Sequence, residues 1–249
     1  MNLSNKTVIV TGGAGGLGKV IIEEIQKKGA KVYALDLNGE YLTNLKNLNP
    51  LMETKVCDVT NPSDLEKVIL EIQTQEKKID VLINSAGVIF NSPVVSLGKS
   101  GFQKHSREDW DRIVSINLNS VFYISSSVIE KMVSQRVKGV IVNISSIMAQ
   151  GNQGQSAYSA SKAAVEALTK TWAKELGIFG IRVFCVAPGF ANTESTNSAM
   201  SEEILDEWKN KVPLRRLSTP EEIAHGIIFG IENDYFNGKV LAIDGGLTV

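Results

Sequence analysis

Cysteine is almost absent: the 249 residues contain two, Cys57 and Cys185. They stand alone in or beside apolar runs, so no disulfide framework exists and both read as small buried hydrophobes. Histidine is as scarce. His105 and His225 lie far apart, with no Cys, Asp or Glu at metal-ligand spacing, and no metal site is expected. A charge excess of either sign is also missing. Lys and Arg number 26 against 27 Asp and Glu, a net charge of −1, which argues against nucleic acid or an anionic membrane as partner. No apolar run approaches the ~20 residues that span a bilayer. The opening MNLSNKTVIVTGG enters a strand almost at once and lacks the pattern of a signal or transit peptide. A cytoplasmic, reducing location is the expectation. Linkers, repeats and low-complexity tracts are lacking too, so residues 1–249 read as one domain.

What is present is an alternation of short β-branched runs and helix-spaced segments. Thr7 to Val10 reads as a strand, followed by TGGAGGLGK and a helix from Val20 to Lys28. A glycine-rich turn between strand and helix is the setting for dinucleotide binding. Glycines let the backbone approach a pyrophosphate, and the helix N-terminus offers free N–H groups and a positive dipole. Gly12, Gly16 and Gly18 give the spacing G-x-x-x-G-x-G. A second strand, Lys31 to Leu35, ends at Asp36, where an acidic side chain is expected to hold a ribose 2′-hydroxyl. Asp36 would repel a 2′-phosphate: two unit charges 4 Å apart cost about 4 kcal/mol at an effective dielectric of ~20. The glycine loop holds no Arg or Lys, so NAD is expected rather than NADP. Further units follow, with strands at 52–56, 79–83, 140–144, 182–186 and 239–243. Repeated βα units predict a single Rossmann-like, doubly wound parallel sheet of about seven strands, with helices on both faces.

Two segments break the rhythm. Val88 to Ser106 is a long mixed insert, read as a rim flap, a short hairpin or a surface elaboration. Phe190 to Asn210 is polar and then helical, read as a lid over the site. Arg107 to Gln135 reads as one long helix, with Asn117 at an unfavoured mid-helix position.

The stretch from Gly139 to Thr171 carries the chemistry. Tyr158 and Lys162 are one helical turn apart on one face. An ammonium held there is expected to favour the phenolate and bring a tyrosine, ordinarily of pKa ~10, toward the range useful for acid–base work. Ser145 and Ser146 end the preceding strand, where a hydroxyl could hold a substrate oxygen. Neighbours in a strand point oppositely, so only one can face the site. Ser146 is the choice here, with Ser145 the alternative.

These residues together make the chain similar to the short-chain dehydrogenase/reductase family over essentially its whole length. The motifs are Thr11 to Gly18, Asp58-Val59, Asn84 to Gly87, Asn117, the serine pair, Tyr158 to Lys162, and Pro188-Gly189 with Thr193. The resemblance implies that Tyr158 is the acid/base and that Lys162 lowers its pKa and binds the nicotinamide ribose. It further implies that Ser146 orients the carbonyl and that Asn117 helps hold a proton-relay water. It implies cofactor contacts at Gly12, Gly15, Gly16, Leu17, Gly18, Asp36, Asp58, Val59, Asn84, Ala86, Gly87, Pro188, Gly189 and Thr193. Within the family the chain looks most like the type 2 3-hydroxyacyl-CoA dehydrogenases. NADPH-dependent 3-oxoacyl-carrier-protein reductases share most of the motifs and are the alternative. A non-catalytic dinucleotide sensor or scaffold is the reading of another class. Likeness to a mostly tetrameric family implies a homotetramer. Where the family usually has two asparagines, this chain has Asn84-Ser85.

Overall fold

The computed structural model describes residues 1–98, 101–193, 196 and 201–247. Seven parallel strands form one sheet in the order β3-β2-β1-β4-β7-β8-β9. They are β1 (Thr7–Thr11), β2 (Lys31–Asp36), β3 (Glu53–Val56), β4 (Val81–Asn84), β7 (Val140–Ile144), β8 (Arg182–Pro188) and β9 (Val240–Ile243). The alternation of side chains explains the layers. Val8 and Val10 of β1 join an apolar cluster with Ile21, Ile22 and Ile25 of α1 (Gly16–Lys27). The same cluster includes Ile223 and Ile227 of the helix Pro220–Glu232. Ile9, between the two valines, joins the opposite cluster with Leu65 of α3 (Pro62–Glu76), Val128 of α5 (Ser120–Ser134) and Val165 of α6 (Ser156–Leu176). Both faces of the sheet are therefore covered, which is why its strands read as unbroken apolar runs.

Local chemistry sets the helix starts. Asn61 accepts from Ser63 N and Asp64 N, and Pro62 occupies the first turn of α3. Thr219 and Glu222 form a reciprocal capping box at the start of Pro220–Glu232. The first helix begins at Gly16, a full turn before the expected Val20. Gly15, its cap, makes no side-chain bond to the helix N-terminus, so the free N–H groups of that turn stay available.

One expected helix differs, and one of the readings of the insert is met. The helix at Arg107–Gln135 is three segments: α4 (Arg107–Val114), a π-helical turn at Ser115–Asn119, and α5. Apolar spacing runs through the turn unbroken, so periodicity could not reveal it. π-turns inside helices frequently mark functional sites, and Asn117 lies within this one. The insert at 88–106 contains an antiparallel hairpin, β5 (Val95–Gly98) with β6 (Gly101–Lys104). Of the expected lid, residues 194, 195 and 197–200 lie outside the described residues; its helical part is Glu202–Lys211.

Candidate active site

The strand order reverses between β1 and β4, the switch point where ligands bind in open α/β sheets. A cleft of about 630 Å³ opens there, at the carboxyl ends of the strands. Gly12, Gly15, Gly16, Leu17, Gly18, Asp36, Asp58, Val59, Ala86, Gly87, Pro188, Gly189 and Thr193 all line it.

The glycines are needed sterically. A Cβ on Gly18 would lie 2.1 Å from the Gly12 carbonyl oxygen. Gly12 has φ +66°, and a Cβ there would lie 2.8 Å from Ala86 Cα. Thr11 Oγ1 accepts from both Ser85 N and Ala86 N at 3.1 Å, fastening the end of β4 to the loop. Asp36 is fixed as well: Oδ2 accepts from Ala14 N at 3.1 Å and Oδ1 from Asn38 N at 3.0 Å. Uncapped helix N–H groups, a close glycine backbone and an acidic rim fit the donor set a nicotinamide dinucleotide requires.

Tyr158, Lys162 and Ser146 line the same cleft, each at most 8% exposed. Lys162 Nζ lies 5.8 Å from the Tyr158 ring centroid and donates to Ile144 O at 2.8 Å. Both serines border the cleft, but their hydroxyls go to different partners. Ser145 Oγ turns to Glu166 Oε1 at 3.0 Å and Lys162 O at 3.2 Å. The Ser146 oxygen accepts from Met148 N at 3.2 Å, and its hydroxyl is hydrogen-bonded to Tyr158.

The electrostatics correct the expectation for Tyr158. Burial pushes its pKa up, and the Ser146 hydroxyl pulls the other way without prevailing. Burial also lowers Lys162 to about 8. The phenol is thus held protonated, and its ammonium neighbour spends its charge on a carbonyl.

Two expected site residues are placed differently. Asn84 is not on the cleft wall. Its Nδ2 donates to Ser125 Oγ at 2.9 Å and Asn143 Oδ1 at 2.8 Å, inside a buried network that continues to Thr169. Asn117 is fully buried and also off the wall. Its Oδ1 accepts from Val88 N at 2.8 Å and its Nδ2 donates to Val88 O at 2.9 Å. Both polar atoms of its amide therefore pin the start of the insert. It still adjoins the site, because a Cβ on Gly87 would lie 3.2 Å from Asn117 Oδ1 and 3.4 Å from Lys162 Nζ.

Sequence reasoning missed Met148 and Gln155, which with Phe190, the first residue of the expected lid, complete the wall near Tyr158. Gln155 Nε2 donates to Asn91 Oδ1 at 2.7 Å, and Ser92 N to Gly154 O at 2.6 Å. These bonds tie the insert to the loop that leads into Tyr158. Only the position of Gln155 just before the helix hinted at such a role. Among the described residues no cluster of His, Cys, Asp or Glu is arranged to hold a metal ion. No helix among them is long and apolar enough to cross a membrane.

The family model described as enoyl-(acyl carrier protein) reductase matches residues 12–248. A 3-oxoacyl-(acyl-carrier-protein) reductase, FabG, of Thermotoga maritima is 37% identical over 256 residues, covering 100% of both chains. A sorbitol-6-phosphate 2-dehydrogenase of Klebsiella pneumoniae is 33% identical, covering 100% of this chain and 98% of that one. Among solved structures, a short chain dehydrogenase from Bacillus anthracis superposes with a TM-score of 0.88 at 32% identity, over 98% of this chain and 97% of that one.

Proposed function

The chain belongs to the short-chain dehydrogenase/reductase family, and from that premise we propose that it is an NADH-dependent reductase of 3-oxoacyl thioesters. The observation that carries the reading is the convergence of Tyr158 and Ser146 in one cleft with Lys162 behind them. The Gly12 to Gly18 loop, Asp36 and the strand ends would hold a nicotinamide dinucleotide, which would supply the hydride. Tyr158 and Ser146 hydrogen-bond the carbonyl oxygen as charge develops on it, and Tyr158 gives it a proton. Lys162 and Asn117 hold the tyrosine helix and the insert in register.

Two features choose among the readings. The names of relatives such as the Thermotoga protein support the 3-oxoacyl reductase reading over the 3-hydroxyacyl-CoA dehydrogenase one. Asp36, locked by two backbone donors, supports NADH over NADPH. The homotetramer that the family resemblance implies is tested by light scattering.

The test is steady-state reduction of acetoacetyl thioesters, simple ketones and steroids with NADH and with NADPH. The reading requires thioester turnover, with the higher kcat/KM for NADH. Turnover of sugar phosphates in preference to thioesters would move the substrate class toward that of the Klebsiella relative.

A further inference from the structure

On its apolar side Tyr158 packs with Ile147, Met148, Val212 and Leu247, all buried. Phe190 and Trp208 lean on this cluster. Their rings stack with centroids 4.4 Å apart and a 38° tilt, and Lys211 Nζ lies 4.4 Å from the Trp208 ring centroid. Phe190, Ile147 and Met148 line the cleft, whereas Trp208 stands behind Phe190 and off the wall. At Phe190 the cleft wall near Tyr158 is therefore backed by a second aromatic ring. That ring comes from the helix Glu202–Lys211, anchored by the buried Leu205.

A carbonyl oxygen at Tyr158 and Ser146 leaves its carbon substituents against these apolar neighbours. We propose that the Phe190–Trp208 stack is the end stop of the acyl slot and restricts the enzyme to short acyl chains. The inference rests on the 3-oxoacyl reading above. An unaccommodated methylene in a closed apolar slot costs about 10- to 200-fold in kcat/KM, so a stop at this position decides which chain lengths react.

The experiment compares wild type, Trp208→Ala and Trp208→Phe. Substrates are acetoacetyl, 3-oxo-octanoyl and 3-oxododecanoyl N-acetylcysteamine thioesters, with straight-chain methyl ketones of rising length alongside. Wild type is expected to prefer the shortest member of each series. Trp208→Ala raises the long-to-short kcat/KM ratio at least about tenfold, with the KM for NADH unchanged. Trp208→Phe, which keeps an aromatic layer, holds the ratio within about twofold. Phe190→Leu thins the wall from the cleft side and carries the same expectation should Trp208→Ala fail to fold. A wild type that prefers long chains, or an unchanged ratio in both wall-thinning variants, overturns the proposal. If wild type reduces methyl ketones but no thioester, the acyl reading falls while the ketone ratios still judge the end stop.

Discussion

Ser145 and Ser146 are adjacent, chemically identical and both buried, yet the fold gives their hydroxyls different partners. Ser146→Ala removes the hydroxyl that faces Tyr158 and that accepts from Met148 N. Loss of a single preorganised donor to a developing oxyanion costs ~10²–10³ in kcat. Ser145→Ala instead removes a hydroxyl whose single proton goes to Glu166 Oε1 or to Lys162 O. Losing a hydrogen bond of this kind costs about 1–3 kcal/mol of stability. For a chain of this size each kcal/mol lowers Tm by roughly 2–4 °C. The two variants should therefore split. Ser146→Ala loses at least about a hundredfold in kcat with Tm near wild type, and Ser145→Ala loses several degrees of Tm with kcat within about threefold. The assay is NADH oxidation at saturating ketone, with thermal unfolding followed on the same preparations. The reverse split, with Ser145→Ala inactive and Ser146→Ala turning over, would refute the placement of the two hydroxyls.

Three other outcomes follow from the same geometry. Asp36→Asn should lower the NADH-to-NADPH ratio of kcat/KM by about 10- to 100-fold, less than the unscreened ~4 kcal/mol because the carboxylate stands at a wet rim; an unchanged ratio would remove Asp36 from cofactor choice. Gly18→Ala places a Cβ 2.1 Å from the Gly12 carbonyl oxygen, so calorimetry should find NADH binding lost or weakened more than about a hundredfold. Wild-type affinity there would contradict the tight-turn account. Burial lowers Lys162 to about 8, so its charge is present below that pH and lost above it. Ketone reduction should fall as pH rises through about 8, and a flat profile across that range would count against a role for the ammonium.

The sheet was legible because buried β-branched runs and glycine punctuation are local properties. Thr7 to Thr11, the Gly12 to Gly18 loop and the capped starts at Pro62 and Pro220 each declare themselves within a few residues. The site was legible where spacing alone brings groups together, as with Tyr158 and Lys162. It was illegible where tertiary burial decides. Counting charges along a helix predicts an acidified phenol, but the buried cluster around Tyr158 also includes Val212 and Leu247, which come from distant parts of the chain. Asn84 reads as a cofactor ligand from its motif and spends its amide on Ser125 and Asn143. The π-turn at Asn117 preserves the apolar stripe and so leaves no trace in periodicity. The Phe190–Trp208 stack joins residues eighteen apart through a segment without a local code.

The measurement that bears most directly on the account is Tyr158→Phe, read by two methods on one preparation. The ring keeps its packing against Ile147 and Met148 and only the hydroxyl is lost. A positioned general acid contributes ~10²–10⁴ in rate. Ketone reduction should therefore fall at least about a hundredfold, while NADH titration gives a Kd within about threefold of wild type. Turnover within tenfold of wild type, with NADH bound normally, would contradict the claim that this phenol is the proton donor.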